Sequence, residues 1–170
     1  MLIRPAEPSD ALAVARVHVR SWQVAYRTLL PDDYLDQLRP EDRAQRYDFA
    51  SLDPRNPKTI VAVEEGSICG FATTAPSRDP DLADHGELFA LYVDPEMWGR
   101  GIGVALVSGA RTELVRAGFR NAVLWVLAGN LRAERFYQFD GWAPDGRSRT
   151  DVVWGATVDE VRYLRVLDRP

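Results

Sequence analysis

The segment Leu91-Tyr92-Val93-Asp94-Pro95-Glu96-Met97-Trp98-Gly99-Arg100-Gly101-Ile102-Gly103-Val104-Ala105-Leu106 leaves this chain few architectures. An apolar, strand-like run stops at Asp94-Pro95. A helical stripe of Ile102, Leu106, Ala110 and Leu114 then begins among glycines at alternate positions. A strand must therefore pass into a helix through backbone that glycine adopts at least cost. The first amides of such a helix have no partner within it and point outward. The turn is thus suited to an anion, phosphate above all, and Arg100 adds a cation. Two phosphate loops fail to match. The turn lacks the Gly-Lys-Ser/Thr of a P-loop. A dinucleotide fingerprint needs Gly or Ala where Val104, counted from Gly99, or Leu106, counted from Gly101, stands. On the glycines alone, a strand-to-helix turn without a ligand stays open.

The rest of the chain supplies elements around this turn. Leu2-Ile3-Arg4 reads as a strand stopped by Pro5. Ser9 or Asp10 caps a helix whose stripe is Leu12, Ala15, Val19, Trp22 and Tyr26. Pro31 opens a second helix carrying Tyr34 and Leu38 on one face, Pro40 interrupts it, and 41–50 forms a third short helix or its resumption. Segments 58–63 and 67–74 pair as a hairpin about Glu65-Gly66, and 76–86 is a loop. The next strand is 87–93. The apolar run 122–127 suits a strand buried on both faces. Asn130 caps a helix over 131–138, turn chemistry at 141–146 leads into a long loop, and 161–167 is the last strand, with an edge open to pairing. This order predicts a mixed α/β (α+β) sheet in one domain spanning 1–170.

Composition removes several function classes. A net charge of -4 gives the surface no general reason to bind nucleic acid or anionic lipid. Cys69 is the single cysteine and His18 and His85 the only histidines, which excludes an intrachain disulfide and disfavours a thiolate or imidazole metal centre. No stretch approaches the ~20 apolar residues of a membrane span, and the opening residues lack the apolar run of a signal peptide. The expectation is a cytoplasmic protein without metal.

Two motifs, in order, carry a resemblance. Trp98-Gly99-Arg100-Gly101-Ile102-Gly103 resembles the Arg/Gln-x-x-Gly-x-Gly/Ala turn of the GNAT superfamily of N-acetyltransferases. Asn130-Leu131-Arg132-Ala133-Glu134-Arg135-Phe136-Tyr137-Gln138-Phe139-Asp140-Gly141-Trp142 is similar to that family's Asn-x-x-Ala-x-x-Phe-Tyr-x-x-x-Gly-Phe segment. One departure stands out: Trp98 occupies the Arg/Gln position, which leaves one side-chain contact to the pyrophosphate in question. The resemblance implies a central, mostly antiparallel sheet of six to seven strands, flanked by helices and splayed where acetyl-CoA binds. It implies cofactor contacts from Leu91, Tyr92 and Val93, from Trp98, Gly99, Arg100, Gly101, Ile102, Gly103 and Val104, and from Asn130 and Tyr137. It also implies a small-molecule primary amine as acceptor and, by analogy, a homodimer.

Acetyl transfer to an amine needs a held thioester, a neutral amine and a stabilised leaving thiolate. A phenol is protonated at neutral pH and can donate to sulfur, and Tyr137 matches the family tyrosine in that role. Packing beside Phe136 is the plainer reading. Glu87, a lone carboxylate heading an apolar strand, matches a catalytic glutamate of the histone-acetylating branch and is the candidate base, directly or through water. A solvated strand end would look the same, and His85 is a weaker base. Trp125 stands where members acetylating ribosomal-protein N-termini carry a glutamate. By the resemblance, Trp22, Tyr26 and Tyr34 wall the acceptor pocket; their spacing alone favours core packing. The acidic surface points to a cationic acceptor. A non-catalytic acyl-CoA-binding domain, or a protein or peptide amine as acceptor, is the alternative.

Overall fold

Prolines and positive-φ glycines cut the chain into the elements that surround the turn. The computed structural model describes residues 1–167, and the last three residues of the expected 1–170 domain lie outside the described residues. In chain order the elements are β1 (Leu2–Pro5), α1 (Ala11–Ala25), α2 (Asp32–Asp36), α3 (Pro40–Ala44), β2 (Lys58–Glu64), β3 (Ser67–Pro76) and β4 (Gly86–Val93). They continue as α4 (Ile102–Arg116), β5 (Asn121–Leu127), α5 (Leu131–Phe139), β6 (Ala143–Val153) and β7 (Ala156–Val166). The strands form one seven-stranded sheet in the order β1-β2-β3-β4-β5-β7-β6. Every pairing is antiparallel except β4 with β5.

Side-chain alternation along the strands gives the sheet two buried faces. Ile60, Ala62, Ala72 and Leu88 turn toward α4, meeting Leu106, Val107, Ala110 and Leu114. Val61 and Phe71 turn the other way, against Val14 and Val17 of α1. Gly70 lets α4 sit this close, since a Cβ there would stand 2.8 Å from Leu106 Cδ1. None of the helices among the described residues is long and apolar enough to cross a membrane.

The sequence reading departs from the structure in three places. Leu12 of the expected α1 stripe is exposed, whereas Val14, Val17, His18 and Ser21 join the buried set. The helix is covered on two sides, by the sheet and by α3, so its buried arc is wider than one stripe. Pro40 starts α3, at the position where its missing N–H costs nothing, and the helix stops at Ala44. The expected long loop is a hairpin of β6 and β7. Most of β6 is exposed and polar at the sheet's edge, and its pairing shifts register between Pro144 and Ser148, so no apolar alternation marks it. Its tight turn, Trp154-Gly155, has positive φ at both residues (53° and 83°), with Trp in a place where Asn or Asp would signal a hairpin. Strand β7 therefore lies between β5 and β6, so 161–166 is not the open edge that was expected there.

Candidate active site

The parallel pairing of β4 with β5 holds only at Gly86 with Ala122 and Glu87 with Val123. Beyond that point the strands part. A bulge helps: Thr73 pairs with Ala90 and Thr74 with Leu88, so Phe89 is an extra residue in β4. Asp94 N–H donates to the Cys69 carbonyl. By the alternation of an antiparallel ladder, Leu91 and Val93 then turn their backbone groups away from β3, toward the gap. The Val93 carbonyl is already used, accepting from Ser21 Oγ at 2.9 Å and from the Trp98 indole N–H at 2.8 Å. Leu91 and the Val93 N–H are left as the polar edge of the gap.

The glycine turn stands at the end of this edge. Gly99 and Gly101 both have φ of +79°, the left-handed region, and Gly101 is the N-cap of α4. The first intrahelical bond runs from Ala105 N–H to the Gly101 carbonyl at 3.1 Å, leaving the amides of Ile102, Gly103 and Val104 without helical acceptors. Trp98 closes the turn onto β4 through its indole bond and carries Arg132 of α5 on its ring. Asn130 Oδ1 caps α5 by accepting from Ala133 N–H at 3.2 Å.

Turn, gap and α5 open into one cavity of about 1140 Å³. Of the sequence candidates, Glu87, Leu91, Tyr92, Val93, Trp98, Gly99, Gly101, Ile102, Gly103, Val104, Asn130, Tyr137, Trp22 and Tyr26 line it. Two are not brought to it. Arg100 is exposed on the outer side of the turn. The Tyr34 hydroxyl donates to the Trp154 carbonyl and so braces the β6–β7 turn behind the wall. His85 is also away, paired with Asp84.

Three phenols gather at the centre. Tyr26 and Tyr92 hydroxyls lie 3.4 Å apart, and burial raises the pKa of both. Burial also raises that of Tyr137, with Tyr92 and Asp140 adding to it. No described group hydrogen-bonds the Tyr137 hydroxyl, so its proton is available to a ligand. Glu87 is buried, and desolvation raises its pKa against the opposing pull of the Arg78 N–H, which donates to its Oε2 at 3.2 Å.

Further residues of the site carried no motif in the sequence. Arg149 of β6 is held by Glu160 of β7 at 2.8 Å and lies over the Trp125 ring. The Trp125 indole donates to Asp79 at 3.0 Å. Arg162 joins Asp79, Asp81 and Asp145, fixing the loop that presents the Arg78 N–H to Glu87. On the other side, buried His18 stacks on Tyr92 and receives the Arg43 Nε–H at 3.2 Å. Arg43 comes from α3, Asp79 and Asp81 from a loop, and Arg149 and Glu160 from the part of the β6–β7 hairpin read as loop, where no period or spacing points to them.

A model of the acetyltransferase (GNAT) family matches residues 19–142. The N-acetyltransferase YuaI of Bacillus subtilis is 32% identical over 128 residues, covering 75% of this chain and 72% of that protein. A mycothiol acetyltransferase of Mycobacteroides abscessus is 31% identical over 116 residues, covering 68% of this chain and only 38% of its own length. Among solved structures, the PaiA N-acetyltransferase of Thermoplasma acidophilum in complex with coenzyme A superposes with a TM-score of 0.72 at 19% identity, over 97% of this chain and 98% of that one. An N-acetyltransferase of Staphylococcus aureus Mu50 gives 0.75 at 21% identity, over 98% of each. At these identities the two structures share the fold.

Proposed function

This chain belongs to the GNAT acetyltransferase family, and from that premise we propose that it moves the acetyl group of acetyl-coenzyme A onto a small primary amine by direct attack. The observation that carries this reading is the parting of β4 from β5 beside the glycine turn, both opening into the cavity that holds Glu87 and Tyr137. The amides of Ile102, Gly103 and Val104 fit a pyrophosphate, and Arg132 on the Trp98 ring brings the cation that Arg100 does not. Leu91 and the Val93 N–H fit the amides of a pantetheine arm, which would run along β4 as a further strand does.

The residues then divide the proton work. Glu87 takes a proton from the acceptor ammonium, directly or through water, so that a neutral nitrogen attacks the thioester carbon. Its raised pKa makes it a stronger base than an exposed glutamate. The new C–N bond forms as the C–S bond breaks, and the nitrogen sheds its second proton to solvent as the amide forms. Tyr137 donates its hydroxyl proton to the departing sulfur and recovers one from solvent. Trp22 and Tyr26 wall the acceptor side.

The test is thiol release from acetyl-coenzyme A across a panel of primary amines. Thiol release that depends on amine and on enzyme supports the reading. Absence of release with every amine, together with no stabilisation by coenzyme A, overturns it.

A further inference from the structure

Aromatic rings hold several of the cavity's arginines, and a ring positions a guanidinium without neutralising it. Arg132 lies over Trp98, Arg78 over Phe89, and Arg43 between Tyr47, at 5.3 Å from its centroid, and Trp154, at 4.8 Å. Arg149 differs: it lies over Trp125 but is answered by Glu160, Asp79 and Asp151. Arg132 belongs to the glycine turn's end of the cavity. Arg43 bonds His18 of α1 and lies against Tyr47 and against Trp154 of the β6–β7 turn.

The groups around Arg43 leave its charge unmet. Its Nε–H can only donate, so the Nδ1 of His18 must accept, and the Tyr47 hydroxyl lies 2.8 Å from the same nitrogen. Burial, with Arg43 beside it, holds the His18 pKa well below its ordinary value, so the ring is neutral and carries its proton on Nε2. The cavity's carboxylates are engaged elsewhere. Glu160 and Asp151 hold Arg149, Glu87 accepts from the Arg78 N–H, and Asp48 accepts from Ala50 N–H. No described carboxylate forms an ion pair with Arg43. A half-buried guanidinium that lines a cavity and has no anion of its own is a receptor for one.

We propose, building on the acetyltransferase reading, that the acceptor is an amine that also carries a carboxylate, and that Arg43 holds that carboxylate while the amine faces the thioester. Arg43, Arg46 and Arg78 line this cavity, so the net charge of -4 does not by itself select a purely cationic acceptor. His18, Tyr47 and Trp154 act as positioning residues, setting the guanidinium without competing for it.

The experiment compares free amino acids with their carboxamides, which keep the amine and lose only the negative charge. The readout is thiol release from acetyl-coenzyme A by the full-length enzyme. Several amino acids are expected to exceed their amides in kcat/KM by about tenfold or more, the scale of a charge-assisted pair. Arg43→Gln should raise KM for those amino acids by a similar factor, leave their amides nearly unchanged, and leave coenzyme A affinity by calorimetry unaltered. Arg43→Lys should recover part of the loss. Calorimetric binding of coenzyme A also shows that each variant is folded. Equal or greater use of the amides overturns the proposal, as does an Arg43→Gln loss shared by both sets, or a loss of coenzyme A affinity. Thiol release with other amines but with no amino acid overturns it while leaving the acetyltransferase reading intact. Absence of release with every amine, together with no stabilisation by coenzyme A, overturns both.

Discussion

The guanidinium carbon of Arg132, in the first turn of α5, lies 3.3 Å from the centroid of the Trp98 ring. The contact joins the two motif segments at the one position where the first of them departs from the family pattern. Trp98 has no charge to offer a pyrophosphate. Its indole instead ties the turn to the Val93 carbonyl, and its face carries a cation from the neighbouring helix. On the proposed reading, the charge for the pyrophosphate comes from α5 in place of the turn.

Arg132→Met should therefore weaken coenzyme A by roughly tenfold to a hundredfold, the range of one charge-assisted hydrogen bond at about 1.5–3 kcal/mol. Acceptor KM should hardly move. Calorimetry with coenzyme A and with its 3′-dephospho form separates the possible partners. An equal loss with both places Arg132 on the pyrophosphate. A loss confined to coenzyme A would place it on the 3′-phosphate.

The glycine turn gives a second, sharper comparison. A Cβ at Gly103 would meet the Phe136 ring at 3.4 Å, ordinary van der Waals contact, so Gly103→Ala should fold and keep most of its cofactor affinity. Gly103→Asp places a carboxylate among the free amides of the α4 N-terminus, where a phosphate must sit. That variant should melt close to wild type without ligand and lose the melting shift that coenzyme A gives. Unchanged coenzyme A affinity in a folded Gly103→Asp variant would move the cradle elsewhere.

How much of this was legible in the sequence follows from where each residue sits. The β4–turn–α4 unit is written in a row, as an apolar run, proline, alternating glycines and a stripe. Its elements and most of its cavity-lining residues were readable for that reason. Glu87 stood out as a lone carboxylate heading an apolar strand, and Tyr137 only through the family motif it matches. The parting of β4 from β5 was implied only by resemblance, since a strand's side chains do not report whether its backbone is paired. Arg43, Tyr47, Arg149 and Glu160 were not readable. Each gains its role from a partner elsewhere in the sequence, such as His18 for Arg43 and for Tyr47. The hairpin carrying Trp154 was hidden because an exposed edge strand has no apolar face to display.

Glu87 should impose opposite signs on rate and stability. Burial raises its pKa in the folded protein, so folding favours the protonated form. That contribution is fully present below the unfolded pKa and is lost as pH rises through the folded one. Above the folded pKa the ionised carboxylate is a burden on the fold, and Glu87→Gln, which keeps an acceptor for the Arg78 N–H, should melt at or above wild type there. Its rate should fall most at low pH, where the amine is charged, and recover in part at high pH. The acid limb of the wild-type kcat/KM profile, set above the ordinary carboxylate range, should disappear with it. Melting curves and pH–rate profiles of the two proteins, measured side by side, check both signs.

Tyr137→Phe isolates the other end of the proton path. The hydroxyl makes no hydrogen bond to a described group, so its removal strands no partner, and the ring's contacts with Phe136 and Trp142 remain. Stability and coenzyme A affinity should therefore change little. Turnover should fall by about a hundredfold or more, the scale on which a positioned general acid acts. Because burial raises the phenol's pKa above its ordinary value, the wild-type enzyme should keep its acid form beyond the pH at which an exposed tyrosine ionises. The loss in Tyr137→Phe should accordingly be nearly independent of pH, unlike that in Glu87→Gln. An acetyl donor with a more acidic thiol leaving group needs less help on departure, so the gap between wild type and variant should narrow with it. If turnover is near wild type and the gap does not depend on the leaving group, Tyr137 is a packing residue and the sulfur departs without its proton.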